Sequence, residues 1–300
     1  MSRDIIDENF KKQVIFLLNN IWTGKSEFYF PLQNFINMEK KDIFKLKSFN
    51  YFYYKKDTIN TIRAALFLFK DSRGENRAML VCRDLSIKEV KIVCPEEYYS
   101  NTVFDVSYDN DEVIIYDTFC LCGNKINYHT FIDRHMEAEC FINNVIGSEL
   151  KLSTVKFYDN IKEVENHTEN EEIFMVSNDM PIITGTNYSC FKWKRSELIK
   201  VSLKSQESEG DINLYCSNFK ANKLFCKLTF NSPEGEMLIN TAKNFKNYTP
   251  GCILDINLDL LNKKLIIVGV NNEKIYPTSL KGIEKVITIK RENIHISDLY

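Results

Sequence analysis

Residues 51–70 read YFYYKKDTINTIRAALFLFK. The aromatic run 51–54 and the apolar run 64–69 are both strand-prone, and between them stand Lys55, Lys56, Asp57, Thr58 and Arg63. The pattern predicts two strands around a polar tip. A lysine between apolar strands has two readings. In the commoner one it is a solvated residue on a hairpin tip. In the other, desolvation and neighbouring cations disfavour the ammonium, and the neutral amine is a nucleophile.

The composition around this stretch sets the bounds. The chain has 300 residues, 44% apolar and 27% charged, a globular balance sufficient for one large domain or two ordinary ones. Six prolines and ten glycines argue against a disordered or collagen-like chain. A formal net charge of −2 excludes a uniformly basic nucleic-acid-coating protein, though not a local basic groove. The nine cysteines form no CxxC pair, Cys120 and Cys122 are wrongly spaced for a zinc knuckle, and the four histidines are scattered. These read as reduced core thiols. No run of ~18 apolar residues suggests a membrane span. The start, MSRDIIDENFKKQ, shows no signal-peptide core.

Along the chain, residues 4–21 have the apolar spacing of an amphipathic helix, the aromatic stretch 27–38 with Pro31 reads as an extended segment or a turn, and 34–46 fit a short helix. Strands are expected at 78–82, 90–94, 102–106, 112–119 and 173–176, and a helix over 128–145 with Phe131, Ile132, Met136 and Cys140 on its apolar side. In CFKWK, residues 190–194, period-two alternation puts Lys192 and Lys194 on one side and Phe191 and Trp193 on the other. Residues 204–211, KSQESEGD, read as a linker. Beyond it, short strands and a closing helical tail suggest a small β-barrel or sandwich. The expected domains are 1–203 and 204–300.

The order of these elements resembles the covalent nucleotidyltransferase superfamily, and within it the GTP–RNA guanylyltransferases, the mRNA capping enzymes. The family nucleophile motif K-x-D-G is matched by Lys55-Lys56-Asp57-Thr58, followed by Arg63. Its D-G-E element falls on Asp105-Val106-Ser107, and its aromatic strand ending in Asp on Ile114-Ile115-Tyr116-Asp117. The acidic element before a strand is Glu171-Glu172-Ile173-Phe174. Phe191-Lys192-Trp193-Lys194, with PIITGT upstream, matches the L-K-W-K element and favours capping enzymes over DNA ligases.

The resemblance implies an α+β fold: a nucleotidyltransferase domain, ATP-grasp-like as in ligases and capping enzymes, of antiparallel sheets and helices, followed by a small OB-like β-barrel that closes over the nucleotide. It implies that Lys55 attacks the α-phosphorus of GTP and passes GMP to a 5′-diphosphate RNA end. Lys192 and Lys194 would neutralise the α-phosphate, Arg63 would contact ribose, Tyr116 would stack on guanine, and Arg83 would meet the phosphate tail. Glu171 would help hold Mg²⁺ or Mn²⁺, and Lys274 would be the remnant of the OB-domain phosphate clamp. An RNA triphosphatase and the RNA polymerase II tail are the implied partners. The implied location is the nucleus, or the cytoplasm for a virus replicating there.

Each residue also has a plainer reading: Tyr116 as core, Glu171 as part of a solvated acidic loop, and the lysines as a strand face. Thr58, Ser107 and Glu172 replace family residues, and no clamp arginine is found near 269–274. These departures motivate the alternative of a catalytically degenerate member acting as an RNA- or nucleotide-binding scaffold subunit. A weaker rival is a polynucleotide ligase using ATP.

Overall fold

The computed structural model describes residues 8–22, 32–57, 61–109, 111–164, 171–193, 199–218, 221–259, 262, 264–271, 274, 276–292, 294 and 296–299. Contacts divide the chain into two compact units: residues 1–194 with 296–300, and residues 195–295.

The first unit is α+β and built on two sheets. Its helices are α1 (Glu8–Trp22), α2 (Ile43–Ser48) and α3 (Phe131–Asn144). Its strands begin with β1 (Gln33–Asn37), β2 (Tyr51–Asp57), β3 (Ile62–Lys70), β4 (Asn76–Cys82), β5 (Ile87–Glu89) and β6 (Ile92–Val93). They continue with β7 (Ser100–Tyr108), β8 (Glu112–Leu121), β9 (Asn124–Lys125), β10 (Gly147–Ser148), β11 (Lys151–Thr154) and β12 (Phe157–Tyr158). The last two are β13 (Glu171–Ser177) and β14 (Gly185–Trp193). One sheet runs β11-β8-β7-β3-β4-β5, with β9 on β8; the other runs β1-β14-β13-β2-β12, and β6 pairs with β10 alone.

The two strands of the opening stretch therefore lie in different sheets and are not a hairpin. The run AALFLF explains the position of β3. All six residues are buried, as a strand covered on both faces requires. Ala65, Phe67 and Phe69 pack with Val14, Leu18 and Trp22 of α1. Ala64, Leu66 and Leu68 pack on the opposite side with Ala138 and Phe141 of α3. Burying a phenylalanine such as Phe67 contributes about 2–3 kcal/mol.

Two local expectations change. Residues 33–37 form a strand paired in parallel with β14, in keeping with the extended reading of 27–38, so the helix expected over 34–46 is confined to α2 at its end. The apolar side assigned to α3 is also wrong in part. Phe131 is buried, but Ile132, Met136 and Cys140 are exposed. The buried face is instead Phe131, Arg134, His135, Ala138 and Phe141. A buried arginine, paired as described below, takes a position that spacing reserves for an apolar side chain.

The second unit contains β15 (Ile199–Ser208), β16 (Asp211–Asn218), β17 (Ala221–Leu228), α4 (Pro233–Lys243), β18 (Ile253–Asp259), β19 (Lys264–Val270) and α5 (Leu280–Glu292). Its antiparallel order is β17-β16-β15-β18-β19. This is the strand order of an OB-like fold, with a helix between the third and fourth strands. Among the described residues β17 and β19 do not pair, so the expected barrel is an open sheet. Leu238, Ile239 and Ala242 of α4 and Ile283 of α5 share a core with Val201, Leu203, Leu214 and Ile256. Helices that cover the apolar face remove the need for closure.

Residues 204–211 are not a linker. Residues 204–208 continue β15, where Val201, Leu203 and Ser205 are buried while Lys204 and Gln206 face solvent. Glu209 and Gly210, with φ of 52° and 90°, make the tight turn into β16. Half-exposed strands and linkers have similar polar compositions. Helix α4 carries signals that the sequence reading passed over: Ser232 accepts from the Gly235 N–H, and Pro233 opens the first turn.

Candidate active site

The site forms on the face of the β14-β13-β2 strands that carries Phe52, Tyr54 and Lys56. Alternation along β2 puts Tyr51, Tyr53 and Lys55 on the opposite face. Lys56 stands across from Glu172 of β13, and Lys55 across from Ile173. On β14, Lys192 lies opposite Phe174. Tyr54, Phe174, Val176 and Cys190 then pack with Tyr116 of β8 and Phe131 of α3 in one cluster.

Lys56 is only 7% exposed. Its Nζ lies 4.4 Å from the Tyr116 ring centroid and 5.9 Å from that of Phe174. Burial, followed by the nearby Arg63 guanidinium and more weakly Lys192, pulls its pKa down to about 7, against the opposing carboxylates of Asp105 and Glu172. An appreciable fraction of this amine is therefore neutral at physiological pH.

The aromatic wall is continuous. Tyr54 stacks on Phe174 at 5.4 Å and is 5.3 Å from Tyr116. The Tyr116 hydroxyl shares a 2.9 Å hydrogen bond with Ser107 Oγ. Behind Tyr116, Arg134 donates from Nε to Asp117 Oδ1 at 2.8 Å and from Nη2 to Oδ2 at 3.1 Å. Arg134 also donates to the His129 carbonyl, and its own carbonyl accepts from Thr118 Oγ1. This buried pair fixes β8 against α3. Burial raises the Asp117 carboxyl pKa even though Arg134 favours the charged form.

Arg63 crosses between the sheets. Its Nε donates to Asp105 Oδ1 at 3.0 Å, and its Nη2 to Asp105 Oδ2 at 2.5 Å and to the Gln33 carbonyl at 2.8 Å. The Gln33 side-chain oxygen accepts from Asn187 Nδ2 at 2.9 Å. On the other side of Lys56, Lys192 Nζ is 3.1 Å from Glu172 Oε2.

Among the residues singled out from sequence, Tyr116, Arg63 and Lys192 come together, and Lys55 does not join them. The strand parity that turns Lys56 inward turns Lys55 away. Arg83 lies in the β4–β5 turn, directly after Cys82, which pairs with Ala64; it is exposed at the same end of the sheet as Arg63. Glu171 pairs by backbone with Asp57, and its side chain lies outside the described residues, as does the whole of Lys194. Lys274 belongs to the second unit, where its Nζ donates to Ser202 Oγ at 2.8 Å, and Ser202 donates to Asp255.

The sequence reading missed Lys56 and the pairing role of Glu172. The signal for Lys56 was its spacing of two from Tyr54, which the aromatic pattern already turned inward. Among the described residues no three His, Cys, Asp or Glu side chains converge as metal ligands. A groove of about 340 Å³ lies elsewhere, between α1 and the β3–β4 turn, and is lined mainly by Phe10, Val14, Leu17 and Phe69. Among the described residues no helix is long and apolar enough to cross a membrane.

No protein-family model and no curated protein matches the sequence. Solved structures do. A Lig E DNA ligase covers 80% of this chain and 99% of its own at 11% identity and a TM-score of 0.36. A mycobacterial DNA ligase D complexed with ATP gives 82% and 95% at 9% identity and a TM-score of 0.39. The ATP-dependent DNA ligase of bacteriophage T7, also complexed with ATP, gives 80% and 98% at 9% identity and a TM-score of 0.40. Likenesses of this size supply neither a substrate nor a functional residue.

Proposed function

We propose that the first unit catalyses nucleotidyl transfer through a covalent lysine adduct, with Lys56 and not Lys55 as the nucleophile. The environment of Lys56 carries this reading: an amine partly neutral at pH 7, buried beside an aromatic ring, with two further cations nearby. The neutral Nζ attacks the α-phosphorus of a nucleoside triphosphate. An N–P bond forms, the P–O bond to the β-phosphate breaks, and pyrophosphate leaves. The amine releases a proton, leaving an uncharged nitrogen in an anionic phosphoramidate. An oxygen of the acceptor's terminal phosphate then attacks the same phosphorus, the N–P bond breaks, and Lys56 recovers a proton. Lys192 and Arg63 stabilise charge on the transferring phosphoryl group. Mg²⁺ or Mn²⁺ would accompany the triphosphate and offset its charge, with Glu171 the residue the sequence motif suggests to help hold it.

The nucleotide is GTP and the acceptor a 5′-diphosphate RNA end, as in mRNA capping. Support for this comes from the Phe191-Lys192-Trp193-Lys194 motif and the upstream PIITGT. An RNA triphosphatase would supply the diphosphate end. A second reading, a nucleotide- or RNA-binding subunit without catalysis, is favoured by one observation: Arg63 and Lys192 are already paired with Asp105 and Glu172.

The test is incubation with α-phosphate-labelled GTP, or ATP, and Mg²⁺ or Mn²⁺, followed by a denaturing gel. The expected result is an acid-labile, alkali-stable band with GTP, lost in Lys56→Ala and kept in Lys55→Ala. Labelling by ATP alone would favour the ligase chemistry. Absence of any band in a folded, nucleotide-binding protein would favour the non-catalytic subunit.

A further inference from the structure

The reading of this face as a nucleotidyl-transfer site leaves one residue unexplained. Glu172 is acidic where a polyphosphate would have to arrive. It stands across the strand pair from Lys56 and reaches diagonally to Lys192, with its carboxylate 3.1 Å from the Lys192 amine. The other carboxylate acting on Lys56, Asp105, is engaged through both oxygens by Arg63. Glu172 thus lies on β13, the strand between those that carry the two amines, and is ion-paired with one of them.

We propose that Glu172 is a built-in competitor for phosphate: it holds Lys192 as its counter-ion, and an anionic substrate must displace it to reach Lys192 and Lys56. This inference rests on the reading of the site given above and adds how its anion affinity is set. The pair is suited to exchange. Its side chains are 17% and 32% exposed, so water reaches both partners, and a partly solvated ion pair holds weakly enough to be opened by a multivalent anion. Once Lys192 turns to phosphate, the released carboxylate repels the same phosphate at short range. Glu172 therefore opposes binding both by occupying Lys192 and by its own charge. Discrimination follows. A monovalent anion gains too little from Lys192 to open the pair, whereas pyrophosphate or a triphosphate does.

Titration calorimetry with inorganic pyrophosphate tests this on the full chain, comparing wild type, Glu172→Gln, Lys192→Met and the double variant, each checked for native melting. Glu172→Gln is expected to tighten pyrophosphate binding by roughly tenfold. The gain should vanish when Lys192 is also replaced. Glu172→Ser, smaller and equally neutral, repeats the test if the glutamine variant fails to fold. Unchanged or weaker binding in a folded neutral variant overturns the proposal, as does a gain that persists without Lys192. The underlying reading fails separately. Tighter pyrophosphate binding with no lysine adduct in any variant would sustain the role of Glu172 and remove catalysis. A Lys56-dependent adduct with no effect of Glu172→Gln would do the reverse.

Discussion

The Nζ of Lys56 stands 4.4 Å from the centre of the Tyr116 ring, inside a cluster that excludes most solvent. Two effects act on the amine in opposite directions. A cation over an aromatic face gains about 0.5–2 kcal/mol in the charged form. A fall of the pKa from the usual 10.5 to about 7 corresponds to roughly 5 kcal/mol against that form. Burial therefore outweighs the ring, and the Lys56–Tyr116 contact holds an amine near its titration midpoint at neutral pH.

The pH dependence of adduct formation follows from this. Only the neutral amine attacks, so the single-turnover rate should rise with pH, reach half its maximum near pH 7 and level off about one unit higher. Quenched-flow labelling from pH 5.5 to 10 measures it. A rate that keeps climbing toward pH 10 would point to a lysine with an ordinary pKa.

Stability should carry the same signature. The unfolded chain holds the Lys56 proton up to about pH 10.5, while the folded chain loses it near 7. Between those values the unfolded state binds more protons, so rising pH stabilises the fold by up to about 1.4 kcal/mol per unit, and the gain is lost as pH falls through 7. Buried thiols such as Cys120 and Cys190, both raised to about 12, oppose this trend in the alkaline range. The difference between wild type and Lys56→Met isolates the lysine. Urea unfolding from pH 7 to 9.5 should show the wild type gaining on the variant, and parallel curves would contradict the assigned burial.

The Asp117–Arg134 pair should behave as a buried ion pair. Asp117→Asn or Arg134→Met alone leaves an uncompensated buried group and should cost about 3–5 kcal/mol. Replacing both by apolar residues of similar volume should cost far less. Chemical denaturation of the single and double variants reads the coupling.

Gly235 should not tolerate a side chain. A Cβ there would lie 2.1 Å from the Thr229 carbonyl oxygen, inside the first turn of α4 where backbone has little room to shift. Gly235→Ala is expected to destabilise the second unit by more than about 2 kcal/mol, measurable as a lowered melting temperature. At Gly251, where a Cβ would meet nothing within 4 Å, the cost of alanine comes only from its φ of 95° and should be smaller.

Much of this architecture was legible because periodicity reports local burial. The continuous run in β3, the alternation in CFKW, the amphipathic α1 and the closing helix α5 all formed where they were expected. The failures share one cause, which is that the deciding partner lies far away in sequence. Met136 on α3 looks like core until Arg134 is seen to be satisfied by Asp117. The overlap at 34–38 between an extended and a helical reading is decided only when Gly185 and its neighbours offer a parallel partner. The bonds of Arg63 to Asp105 and to the Gln33 carbonyl, both distant in sequence, are likewise invisible to spacing. Spacing names the residue types at a site, but tertiary pairing decides which of two adjacent lysines faces it.

The contact from Arg63 to the Gln33 carbonyl ties β1, an edge strand, to the ion pair of the neighbouring sheet. Edge strands ordinarily fray first, exposing amides in brief local openings. Here, release of β1 takes an acceptor from a guanidinium that crosses between the sheets. Fraying of this edge and loosening of the Arg63–Asp105 pair become one event. In hydrogen-exchange terms, the amides of β1 should share the protection of β3 and β7 and not that of a loose margin, so solvent entry along this edge would require a cooperative opening of the unit.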